Sequence, residues 1–176
     1  MILRAFTTKN VTVLSRLFKI YVRPMLEYNS YVWSPHTASS VNFIENVQRR
    51  FTKRIFLRNH LYDSYEIRLR HLQLETLESR RLQSDLIMTY KIIHSLVDLN
   101  FHQYFSWAPL LNTTRSNHNY KLFLPQRKSN FFNKRIVKYW NSLPRSVAES
   151  ANLNIFTQRL KKVRTDCLGF TSLISQ

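Results

Sequence analysis

Residues 39–55 read SSVNFIENVQRRFTKRI. Val41, Ile44, Val47, Phe51 and Ile55 recur at steps of three and four, the spacing that lines up one side of an α-helix. Ser39 or Ser40 stands where a helix start wants a side-chain acceptor for its free N–H groups. Between the apolar positions fall Arg49, Arg50, Lys53 and Arg54, which spread positive charge over about half of the helix circumference. Such an element packs on protein with one side and turns cations outward with the other.

The same period extends in both directions. Upstream, Asn10 precedes Val11–Val22, where Val11, Leu14, Leu17, Phe18 and Tyr21 share a stripe; Pro24 should end or kink this helix and open a short second one with Leu26, Tyr28 and Trp33. Downstream, Asp63 and Glu66 have the spacing of a capping box ahead of Tyr65–Leu69. The longest helix is expected over Glu75–Val97, with Leu77, Leu82, Leu86, Ile87, Tyr90, Ile93 and Val97 facing a partner. Periodicity then fails from Asp98 to Ser129, an irregular aromatic and basic connection with at most a short strand pair around Tyr120–Leu124. Helix returns at Asn130–Trp140, with Asn141 suited to a left-handed cap and Pro144 as a stop. A last amphipathic helix covers about 153–163. The expected fold is mainly α: a helical bundle followed by a helical C-terminal region.

Charge divides the chain as well. Residues 1–62 hold ten basic and two acidic side chains, 63–99 five and six, 100–149 eight and one, and 150–176 four and one. The expected segments are 1–60, 61–99 and 100–176. A net charge of +17 repels itself in a compact chain and points to a polyanionic partner. The single Gly169 excludes the glycine-rich phosphate loops of dinucleotide and Walker type. The lone Cys167 cannot close an internal disulfide or build a cysteine zinc site. With no secretion signal and no long apolar run, the expectation is an intracellular chain of nucleus or cytoplasm, outside the membrane.

Two-metal catalysis needs clustered carboxylates. Asp63, Asp85, Asp98 and Asp166 are scattered, and none stands in the aromatic-x-Asp-Asp pattern of a polymerase palm. Glu75 and Glu78 beside Arg80 and Arg81 read as surface pairing. The six histidines show no metal-ligand spacing. No catalytic residue, metal or cofactor is therefore expected. What remains are two sets of cations for phosphate contact: Arg49, Arg50, Lys53 and Arg54 on the first helix, and Arg127, Lys128, Lys134 and Arg135 among the aromatic residues of the C-terminal arm.

Tyr21-Val22-Arg23-Pro24-Met25-Leu26-Glu27-Tyr28, followed by Val32-Trp33-Ser34-Pro35, resembles a signature downstream of the palm in jockey-like non-LTR retrotransposon reverse transcriptases. Ile44 to Lys53, Arg68-Leu69 with Leu72, Leu77-Glu78, Arg80-Arg81, Thr114-Arg115, Phe132 to Arg135 and Trp140-Asn141-Ser142-Leu143-Pro144 continue it in order. The resemblance implies that residues 1–60 are a thumb gripping a template-primer duplex. It implies that the rest is the C-terminal region, which helps to hold RNA or target DNA. Endonuclease, fingers and palm are absent, so Met1 would be an internal methionine of a truncated copy, and the missing fingers and palm a further partner. The rival expectations are a helical module for acidic proteins and a remnant without function.

Overall fold

The computed structural model describes residues 7–109, 118–124 and 131–166, with side chains described as far as Val163. These residues are mainly α-helical. Packing divides the chain into Met1–Leu82 and Gln83–Gln176, whereas the expected segments meet at residues 60 and 99.

In the first unit, α1 (Val11–Leu17) starts at Asn10, whose side chain accepts from Thr12 and Val13 N–H. A π-helical turn, Phe18–Val22, follows and leads into α2 (Arg23–Glu27). Pro24 explains the turn. Its ring would collide with the carbonyl four residues back in a regular helix, and widening to a bond from Arg23 N–H to Phe18 O relieves the crowding. The short second helix is then broken, because Asn29 is left-handed before α3 (Ser30–Trp33). Leu14 and Phe18 are buried and Val11 and Leu17 pack on the core, but Tyr21 is 59% exposed, carried outward by the widened turn.

Ala38–Arg58 forms α4, capped by Thr37 rather than Ser39 or Ser40. At 21 residues it is longer than α6 (Leu77–Ile93), which has 17. Ile55 and Phe56 join Leu14, Leu69, Leu72 and Leu74 in the core, and Phe51 stacks on Phe18 at 4.5 Å. Val47 is exposed, and the buried stripe runs instead through Glu45, Gln48 and Thr52. Burial is tolerated because the Glu45 carboxylate, the Gln48 amide nitrogen and the Thr52 hydroxyl are each hydrogen-bonded. Glu45 accepts from Leu77 N–H at 2.9 Å and from the Tyr65 hydroxyl, so its carboxylate caps α6 and meets the positive end of that helix. Gln48 donates to Tyr65 Oη and to Glu75 O at 3.0 and 2.9 Å. α5 (Tyr65–Leu72) is capped by Ser64, not by Asp63.

The second unit opens within α6. Leu86, Tyr90 and Ile92 are buried there, while Leu82, Ile87, Ile93 and Val97 are only half-buried. Tyr90 stacks on Phe156 at 4.3 Å and donates to Ser150 O at 2.7 Å. Phe156 belongs to α11 (Leu153–Asp166). Leu86→Ala removes a side chain only 2% exposed and should lower stability by about 2–5 kcal/mol; chemical denaturation of the purified chain measures it. Phe101–Tyr104 forms α7. Instead of a strand pair, the described residues hold a single antiparallel bridge, Trp107 to Leu122. The bridge bonds use Lys121 O and Phe123 N–H, and Asn141 takes the two backbone groups of Leu122 between them, accepting from its N–H at 2.9 Å and donating to its carbonyl at 2.8 Å. The returning helix is also divided, into α8 (Phe132–Arg135) and α9 (Val137–Asn141), and Asn141 is helical rather than left-handed. Pro144 precedes α10 (Arg145–Ala148).

Among the described residues, three helices end on a left-handed residue that is not glycine: His60, Gln73 and Ser95, with φ of 57°, 49° and 51°. At each, the next N–H reaches back five residues, as Leu74 does to Leu69 O at 2.9 Å. This ends α6 four residues before Val97. A side chain is strained in that conformation, so Gln73→Gly should raise stability by about 0.5–1 kcal/mol, net of glycine's greater chain entropy. Thermal melts of the two proteins measure the difference.

Candidate nucleic-acid interface

Burying Glu45, Gln48, Thr52, Ile55 and Phe56 leaves the opposite side of α4 facing outward. Arg49, Arg50, Lys53 and Arg54 are all exposed on it. At about 100° per residue they occupy an arc of roughly 140°. None of the four forms an ion pair among the described residues. The Arg49 guanidinium lies 5.1 Å from the centre of the Tyr65 ring, and Tyr65 is itself held by Glu45 and Gln48. Burial, then the bond to Glu45, pushes the Tyr65 hydroxyl well above the usual phenol range, so it stays a neutral donor. The buried polar stripe thus steadies one member of the cationic face.

The second set fares differently. Arg127 and Lys128 lie outside the described residues. Lys134 is half-buried on α8. Arg135 is committed elsewhere: its Nε and Nη2 meet the two carboxylate oxygens of Asp85 at 2.9 and 3.1 Å, and its guanidinium sits 5.8 Å from the Phe132 ring centre. A two-pronged pair of this kind satisfies a carboxylate that is only 5% exposed. Arg135 therefore leaves the phosphate-contact set for a structural post, and the bond gives Asp85 one too.

Arg80 and Arg81 also depart from the surface reading. Arg80 forms a two-pronged pair with Glu27, which holds its charge firmly, and Arg81 is buried. Around them lies a cationic cluster that the apolar period does not disclose. Burial, then the charges of Arg23, Arg16 and Arg80, lowers the Lys19 ammonium from its ordinary range. The Lys19 ammonium also donates to Leu72 O at 3.4 Å. The spacing of Arg16, Lys19 and Arg23 is the available signal, since steps of three and four place all three on one side of a helix.

The motifs behind the resemblance have structural work in this fold. Pro24 shapes the π-helical turn, and Glu27 holds Arg80. Trp140 is fully buried and donates to Tyr120 O at 2.7 Å, Asn141 pairs with Leu122, and Leu143 is buried. The Trp140 carbonyl meets Nε2 of His118, whose imidazole burial pushes toward neutrality.

Of the scattered aspartates, Asp98 is exposed and Asp63 half-buried. Among the described residues, no three of His, Cys, Asp and Glu gather as a metal-holding group. No described helix is long and apolar enough to cross a membrane.

No protein-family model matches the chain. No solved structure matches it either. An uncharacterized protein of Caenorhabditis elegans is 24% identical over 102 residues, which are 57% of this chain and 50% of that protein. The chain therefore spans about half the length of the relative it matches, and the similarity carries no named activity with it.

Proposed function

We propose that the chain is a non-catalytic nucleic-acid-binding fragment, similar to the thumb and C-terminal region of a retrotransposon reverse transcriptase. In this reading it holds RNA or DNA through phosphates in the nucleus or cytoplasm. The observation that carries it is the outward face of α4, where Arg49, Arg50, Lys53 and Arg54 stand exposed and outside any described ion pair. Contacts to phosphate release condensed counterions and read little sequence. The test is a titration of labelled duplex at several salt concentrations. A steep fall of log affinity with log salt supports the reading, and a slope near zero overturns it.

No polymerase chemistry is proposed for the fragment. The full chain is expected to extend no primer with any divalent metal, since it lacks the paired aspartates that hold two ions. Incorporation that disappears in Asp98→Ala would show otherwise.

One observation favours a second reading, a module for acidic proteins. Phe43 is 77% exposed, and Leu57 and Val47 are exposed with it on the cationic side of α4. An acidic helix with apolar anchors would use both features. Competition separates the two, because an acidic polypeptide that displaces duplex only through bulk charge loses that ability as salt rises.

A further inference from the structure

The second unit holds a groove of its own. Gln103, Tyr104 and Phe105, then Phe123, then Asn133 and Lys134 line a cavity of about 210 Å³. Phe105 is buried, whereas Tyr104 and Phe123 are 36% and 49% exposed, so both keep surface open to solvent. Lys134 brings an ammonium group, and among the described residues no carboxylate lines the cavity.

Each wall is held by its own bonds. The side chain of Asn100 accepts from His102 N–H at 3.0 Å and starts α7. Phe123 N–H donates to Ser106 O at 2.8 Å, which fixes the Phe123 backbone beside the chain that leaves α7. The Arg135 bond to Asp85 ties down α8, which also carries Asn133 and Lys134. The groove is therefore built before any ligand arrives.

We propose that this groove takes one unstacked base of a single-stranded nucleic acid. The base lies against Tyr104 and Phe123, the carboxamides of Gln103 and Asn133 meet its polar edge, and Lys134 meets the adjoining phosphate. The volume is below the roughly 300–1,000 Å³ of pockets that enclose a drug-sized ligand. It suits a base whose strand stays outside. Aromatic surface, two-sided amide donors and acceptors, and a cation with no competing carboxylate are the groups that single-strand readers combine. A duplex must first unstack to offer a base, which disfavours it here. The cavity of about 340 Å³ beside Lys53 is a weaker candidate: Asp63 lines it, and its Arg68 is bonded to Thr52 Oγ1 and Asp63 O.

This inference rests on the nucleic-acid reading but concerns bases rather than phosphates, and the test separates the two. The full chain is titrated by fluorescence anisotropy with oligothymidylate, oligouridylate, an abasic strand of equal length and a duplex. The thymidylate and uridylate strands should bind more tightly than the abasic one. Phe123→Ala should weaken single-strand binding about 5- to 100-fold, leaving the abasic strand, the duplex and the salt slope unchanged, while Phe123→Tyr keeps binding. Lys134→Gln should flatten the single-strand slope by about 0.7. Phe123 is half exposed, so its loss leaves the core intact, and unchanged melting checks this. If Phe123→Ala and Tyr104→Ala both stay within about twofold of wild type while the salt slope is steep, the base site falls and the phosphate reading stands. A wild-type slope near zero on every probe removes both.

Discussion

Replacing Arg49, Arg50, Lys53 and Arg54 with glutamine is expected to lower the slope of log duplex affinity against log salt by about 3.6, at about 0.9 for each phosphate no longer neutralised. The advantage of the wild-type chain should then shrink about 150-fold between 50 and 200 mM salt. The four side chains point away from the core, and glutamine matches arginine and lysine in helix propensity, so helicity should be unchanged. A small stability loss is expected from Arg49, which leaves the Tyr65 ring, worth about 0.5–1 kcal/mol at an exposed site. Arg80 and Arg81 make poor controls because one holds Glu27 and the other is buried. Lys161 and Lys162 are exposed on α11 and give a fairer comparison. Equal slope change per charge at both places would reduce the α4 face to ordinary solvated surface.

Arg135→Gln should act on the fold rather than on binding. It deprives the Asp85 carboxylate, which is 5% exposed, of two charge-assisted bonds. Breaking such a pair from one side lowers stability by about 3 kcal/mol. Adding Asp85→Asn should restore part of the loss, since the double variant leaves no buried charge behind. Denaturant curves for the two single variants and the double variant give the coupling. The slope of binding against salt, measured where the variant is still folded, should match wild type. A variant that melts as wild type does while its slope falls by about 0.9 would return Arg135 to the phosphate contacts.

Apolar periodicity discloses helices well here, because each helix buries one stripe. It locates α1, α4, α5, α6 and α11, each to within a few residues. It fails where burial is polar. Glu45, Gln48 and Thr52 look like solvent positions until Tyr65, Leu77 and Glu75 arrive to bond Glu45 and Gln48, and those partners are 17 to 32 residues away. The same blindness sets Arg135 among the phosphate contacts, since Asp85 lies 50 residues off in sequence. Local chemistry misleads in another way at Asn141. Its tolerance for the left-handed region suggests a cap, but its carboxamide is needed by Leu122. The exposed face of α4 is legible because no distant carboxylate among the described residues pairs with those four side chains.

The left-handed helix ends at His60, Gln73 and Ser95 also bear on how the chain can change. Each holds back stability that a glycine would release without touching core or cationic face. In a genetic selection against a core lesion such as Leu86→Ala, these positions should therefore return as second-site suppressors, and should do so for unrelated lesions alike. Serine codons of the AGY type reach glycine by a single base change, while histidine and glutamine codons do not. Ser95 is accordingly where such revertants should collect first if its codon is of that type.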